Sequence, residues 1–207
     1  MVTIVDYGMG NLGSIQNMFS YIGVSSRISS DLNELADAEK ILLPGVGAFD
    51  AAMERINSSG IKEVLDKKAL EEKVPVLGIC LGMQLLTKGS DEGELPGLGW
   101  IPAYTHKFEF KERMPVPHMG WNEIEVSNSN PLSKGLESVA QDGDKPRFYF
   151  VHSFHVQVEG QENSIMKTQY GITFDSAIRR DNVLGCQFHP EKSHKFGMTL
   201  LKNFAEI

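Results

Sequence analysis

Three short apolar runs, at residues 2–6, 40–43 and 74–79, each lead into a glycine-bearing turn and then into a stretch with apolar residues at helical spacing. Those helical stretches lie at residues 12–22, 48–56 with 61–70, and 81–87. A strand buried on both faces reads as an unbroken apolar run, and strands that alternate with helices build βαβ units. The pattern predicts an α/β fold with a mostly parallel, doubly wound central sheet flanked by helices. Residues 100–128 and 147–188 are instead rich in aromatic and β-branched residues, so additional antiparallel strands are expected in the second half. Residues 196–204 close the chain as an amphipathic helix, and residues 1–207 are expected to form a single domain.

Composition removes several classes of function. The chain is 41% hydrophobic and 23% charged, which excludes disorder, and its net charge is −7. Basic residues come in scattered pairs such as Lys67-Lys68 and Arg179-Arg180, so neither nucleic acid nor an anionic membrane is an expected partner. No apolar run approaches the roughly 20 residues that cross a bilayer. Residues 1–6 form a strand pattern without a basic lead, so no signal peptide is expected. Only two cysteines occur, Cys80 and Cys186. A lone disulfide is a poor staple for a domain this size, which points to a reducing, cytoplasmic location.

The most telling segment is Gly78-Ile79-Cys80-Leu81-Gly82, set between an expected strand and an expected helix. That is the layout of a nucleophile elbow, in which a reactive side chain sits on a sharp turn between close-packed backbones. A helix N-terminus behind the thiol favours thiolate, and the Leu81 amide faces a developing oxyanion. A core cysteine between two packing glycines would read the same way in isolation. Phe188-His189-Pro190-Glu191 decides between them: a thiol needs a base, and the base needs an acceptor to orient its ring. In an extended segment His189 and Glu191 would share a face. A third loop, Pro44-Gly45-Val46-Gly47, also follows an apolar run and can aim backbone N–H groups at an oxyanion. In a parallel sheet all three loops gather at one edge.

Two other patterns compete. Gly8-Met9-Gly10-Asn11-Leu12-Gly13 outlines a dinucleotide-binding fingerprint, with Asp31 placed 18 residues beyond the last glycine. Asp31, however, follows the polar pair Ser29-Ser30, not an evident buried strand. His152 and His155 lack the partners of a zinc motif. Neither a metal nor a cofactor is expected.

Together with Pro117-His118-Met119-Gly120-Trp121-Asn122 and Phe150-Val151-His152-Ser153, these loops resemble the class I (triad) glutamine amidotransferases over essentially the whole chain. Within that family the chain is similar to the glutaminase subunits of imidazole glycerol phosphate synthases. The resemblance implies hydrolysis of glutamine to glutamate, with ammonia passed to a (β/α)8-barrel cyclase partner that makes imidazole glycerol phosphate and an aminoimidazole carboxamide ribotide. It implies Cys80, His189 and Glu191 as the catalytic triad and Val46 and Leu81 as oxyanion donors. Gly47, Gln84, Glu92 and Ser153 would hold glutamine, and Asn11, Trp121, Asn122, Tyr149 and Lys192 would face the partner. Phe154 stands where the family usually carries tyrosine. The segment Ser193-His194-Lys195-Phe196-Gly197-Met198 is similar to paralogs that feed ammonia to a sugar-modifying amidotransferase in surface-polysaccharide synthesis. Two further readings on the same scaffold are an inactive glutaminase-like module and a peptidase or γ-glutamyl hydrolase; the intact triad opposes the first and Gln84 the second.

Overall fold

Five parallel strands form the spine of the computed structural model, which describes residues 1–111, 113–140 and 144–207. In chain order the first half runs β1 (Val2–Val5), α1 (Leu12–Tyr21), β2 (Ser26–Ser29), α2 (Leu32–Ala36), β3 (Ile41–Leu43), α3 (Phe49–Ser58), α4 (Ile61–Asp66), β4 (Val76–Ile79) and α5 (Leu81–Leu85). The second half contains β5 (Ala103–Lys107), β6 (His118–Glu123), β7 (Glu125–Val126), β8 (Arg147–His152), β9 (Phe154–Val158), β10 (Ser164–Tyr170), β11 (Ile172–Arg180), β12 (Val183–Cys186) and α6 (His194–Glu206). The main sheet has the order β2-β1-β3-β4-β12-β11-β10-β7, parallel as far as β12 and antiparallel beyond it. The expected fold class is therefore observed. Glu112, within the expected hairpin region, lies outside the described residues.

Alternation within the strands distributes the core over both faces of the sheet. Val5, Ile41, Leu43 and Val76 pack into one apolar cluster with Phe49, Met53 and Ile61 of α3 and α4. Ile4, Leu42, Leu77 and Leu184 point the other way, onto Ile15 and Phe19 of α1 and Phe196, Leu200 and Phe204 of α6. The 4-residue spacing of those α6 positions makes one apolar stripe, and each such side chain contributes about 1.5–3 kcal/mol on burial.

Register sets the site. Leu43 pairs with Gly78, and Ile79 pairs with Cys186, so β3, β4 and β12 end within about one residue of each other. Their following loops begin at Pro44, Cys80 and Gln187 and meet at one sheet edge. A separate ribbon, β6 with β8, is pinned over that edge: His189 N–H donates to the Tyr149 carbonyl at 2.9 Å, and Tyr149 N–H donates to Ser193 Oγ at 3.0 Å.

Three expectations need correction. Residues 26–29 do form a strand, β2, beside β1; its polar, half-buried side chains hide an edge strand from an apolar-run reading. The Asp31 carboxylate nevertheless caps α2, accepting from Asn33 and Glu34 N–H groups at 2.9 and 3.0 Å. A side chain at Gly13 would meet nothing within 4 Å, so the close helix–strand packing that a dinucleotide fingerprint demands of its third glycine is absent. The helix expected over residues 61–70 leaves α-helical form at Asp66 and continues as a π-helical turn, Lys67–Glu71, where the buried Lys68 ammonium donates to the Ala36 carbonyl and to Glu72. Finally, Pro190–Lys192 is a 3-10 turn and not an extended segment.

Candidate active site

Cys80 has the backbone signature of a strained elbow, φ +55° and ψ −111°. A non-glycine residue adopts such a φ at a cost of order 1–3 kcal/mol, sustained here by its surroundings. Cys80 N–H donates to the Cys186 carbonyl at 2.8 Å, which locks the turn to β12. A Cβ at Gly82 would overlap the Leu43 carbonyl oxygen, so only glycine lets the elbow pass the end of β3. The thiol faces a cavity of about 410 Å³ lined by Val46, Gly47, Leu81, Gln84, Glu92, Ser153 and His189 among others. All of the residues expected to hold glutamine are brought together there. A larger groove, about 510 Å³, lies among Glu123, Glu125, Glu137 and Lys167, away from Cys80.

His189 and Glu191 are almost fully buried at the side chain, and Nδ1 lies 2.8 Å from Glu191 Oε1. The 3-10 turn makes this pairing: it folds Glu191 back beneath the ring, where an extended chain would only align the two on one face. The carboxylate accepts from Nδ1–H, which leaves Nε2 for the thiol. Nε2 is buried and has no hydrogen-bond partner, while Cys80 Sγ lies 3.9 Å from the Val151 carbonyl. Sγ and His189 line the same cavity, and proton transfer requires the thiol to turn its hydrogen towards Nε2. Burial alone would lower the His189 pKa, but the Cys80 sulfur and then the Glu191 carboxylate outweigh it and raise it to about 10. A histidine raised in this way is a stronger proton acceptor than a free imidazole, as a base for the thiol must be. Glu191→Gln removes a raising influence while burial still lowers the pKa. The limb of the kcat/KM–pH profile that reports His189 is expected to move to lower pH by about one unit or more; an unmoved limb would refute the coupling.

Val46 and Gly47 are exposed at the cavity mouth, and Gly47 has φ +106°, a conformation that suits only glycine. Tyr7 Oη donates to the Pro44 carbonyl at 2.5 Å and ties this loop to β1. Leu81 opens α5, so its amide has no intrahelical acceptor. Glu92 accepts from Phe49 N–H at 3.0 Å at the start of α3, where negative charge is favoured.

The remaining candidates lie outside the lining of that cavity. Trp121 is 43% exposed, packs edge-on to Tyr149 and stacks on His194. The Lys192 ammonium sits 5.7 Å from the Tyr149 ring centroid. Asn11 caps α1 and shares a cavity of about 20 Å³ with Val46, Glu191 and Lys192. Asn122 is instead committed internally, donating to the Gln169 carbonyl at 3.0 Å and to His118 Nε2 at 3.2 Å.

The family model for glutamine amidotransferase class-I matches residues 3–207. The chain is a class I glutamine amidotransferase. It is 50% identical over 204 residues to "Imidazole glycerol phosphate synthase subunit HisH 2" of Methanococcus maripaludis, covering 99% of this chain and 98% of that one. It is 49% identical over 210 residues to the HisH subunit of Bdellovibrio bacteriovorus, covering both chains fully. Among solved structures, one described as a glutamine amidotransferase superposes with a TM-score of 0.73 at 20% identity, covering 100% of this chain and 98% of that one. Another, a glutamine amidotransferase of Thermotoga maritima, gives 0.63 at 17% identity over 99% and 82%. At such identities these two show the shared fold.

Two features of this amidotransferase site escape a reading of its motifs. His118 Nδ1–H donates to His152 Nε2 at 2.9 Å, and His152 Nδ1–H donates to the Phe154 carbonyl at 2.7 Å. Burial lowers His118 to about 4 and His152 to about 3, so this wall of the cavity is neutral. Gln187 is fully buried and touches the Cys80 sulfur. Its alternation with His189 was a usable signal, whereas nothing local pairs His118 with His152.

Proposed function

We propose that this amidotransferase hydrolyses glutamine through Cys80, His189 and Glu191 and delivers the ammonia to a (β/α)8-barrel cyclase in histidine biosynthesis. The observation that carries the reading is the strained Cys80 elbow opening on the same cavity as a buried His189–Glu191 pair. Cys80 Sγ attacks the carboxamide carbon as its proton passes to His189 Nε2. The oxyanion is met by the amides of Leu81 and Val46. His189 then protonates the leaving nitrogen, ammonia departs, and a glutamyl thioester remains. Water, deprotonated by His189, cleaves the thioester to glutamate and regenerates the thiol. Glu191 keeps the imidazole in the required tautomer. Glu92 offers a carboxylate to the α-ammonium of glutamine, with Gly47, Gln84 and Ser153 completing the pocket.

The imidazole-forming step belongs to the partner, for which Asn11, Trp121, Asn122, Tyr149 and Lys192 are the proposed contacts. No helix among the described residues is long and apolar enough to cross a membrane, and a cytoplasmic location is part of the proposal. The Gly45–Val46 peptide, which carries the Val46 N–H, is the element a partner would act on, since a glycine on each side of Val46 lets that peptide turn over at modest steric cost. Losing one oxyanion donor costs about 100- to 1,000-fold. The purified glutaminase is therefore expected to be nearly inactive by itself, and the cyclase with its nucleotide ligand to raise kcat by about that factor with little change in KM. Full turnover without the cyclase would sink this idea, and faster hydrolysis of γ-glutamyl peptides than of glutamine would replace the substrate.

A further inference from the structure

We propose that Gln187 is a further catalytic residue: its carboxamide donates an N–H to the Cys80 sulfur and stabilises the thiolate as the thiol loses its proton. The inference rests on the reading of Cys80 as nucleophile. Gln187 Nε2 lies 3.7 Å from Sγ, a hydrogen-bonding distance for sulfur, and the residue is 0% exposed.

The orientation of the amide follows from its neighbours. Gln84 Nε2 lies 3.4 Å from the Phe154 carbonyl, which can only accept, so Gln84 must turn its NH2 that way. The same NH2 group lies 3.1 Å from the other end of Gln187, which must therefore be the oxygen. The Gln187 NH2 is left facing the sulfur. A one-way chain results, anchored at a backbone carbonyl and ending on the nucleophile, and no flip of either amide satisfies the same contacts.

The backbone makes the contact rigid. Gln187 N–H donates to the Ser176 carbonyl at 2.9 Å on β11, and Cys80 N–H donates to the Cys186 carbonyl at 2.8 Å on β12. Sulfur and carboxamide are thus mounted on neighbouring strands, which is the support a positioned donor needs. A neutral thiol accepts weakly. Once its proton has moved to His189 Nε2, the same N–H meets an anion, and charge-assisted hydrogen bonds are roughly twice as strong as neutral ones. A donor that gains strength as charge develops accelerates the step, whereas one that binds both states equally does not. A role confined to packing would make no such distinction.

The test measures alkylation of Cys80 by iodoacetamide in the full chain across pH, with thermal unfolding to confirm folding. Gln187→Met keeps the length and removes the donor. Gln187→Glu keeps an oxygen for Gln84 and sets an acceptor against the sulfur. Each is expected to slow alkylation at neutral pH by about tenfold and to move the profile about one unit toward alkaline pH. In the partner complex kcat should fall by about the same factor, with KM for glutamine within about twofold. A folded variant whose alkylation profile overlies that of the parent would overturn the role of Gln187. Parent Cys80 reacting no faster than Cys186 would instead overturn the assignment of the nucleophile.

Discussion

Cys80→Ala is expected to lower glutamine hydrolysis by on the order of 10⁶-fold, the scale at which removal of a nucleophile leaves only binding and oxyanion stabilisation. The fold should survive, because Cys80 stands at a turn beside a cavity and alanine removes only the sulfur. The cysteines also differ in reactivity. Burial, followed by the charges of Glu191 and Cys80, pushes the Cys186 thiol well above its usual range, and its sulfur bonds the Phe188 carbonyl at 3.7 Å inside the core. A glutamine-analogue electrophile should therefore label Cys80 and leave Cys186 unmodified. Peptide mapping that places the label on Cys186 would reverse the assignment.

His189→Asn is expected to cost about 10⁴-fold or more, because one imidazole serves two proton transfers. The thiol loses its acceptor, and the departing ammonia loses its donor. Asparagine approximates the ring's size and can still bond Glu191, so the loss should reflect chemistry and not collapse of the turn. Rapid-quench measurement in the partner complex should show no accumulation of thioester, since the first transfer is blocked. Turnover within about tenfold of the parent would remove His189 from the mechanism.

The parts of this site that were legible in the chain are those whose geometry is local. Gly78 through Gly82 reads as an elbow because a side chain at Gly78 would meet the Gly82 carbonyl and the Met83 amide of the same turn. His189 and Glu191 pair across one residue, so even the wrong backbone form, extended and not 3-10, left the partnership correct. The three loops could be gathered at one edge because parallel strands order their ends by rule. β2 escaped because an edge strand buries little, and Ser26-Arg27-Ile28-Ser29 has no apolar run to display. Strand order, the docking of β6 and β8 over the loops, and the bonds of Gln187 to Cys80 and of His118 to His152 all join residues far apart in sequence. Spacing along a chain carries no record of which distant carbonyl or ring will lie opposite a given donor. The chemistry was therefore written in short motifs, while tertiary packing decided the approach of the Cys80 sulfur to the Val151 carbonyl, the neutrality of the histidine wall and the direction of the amide chain that ends on sulfur.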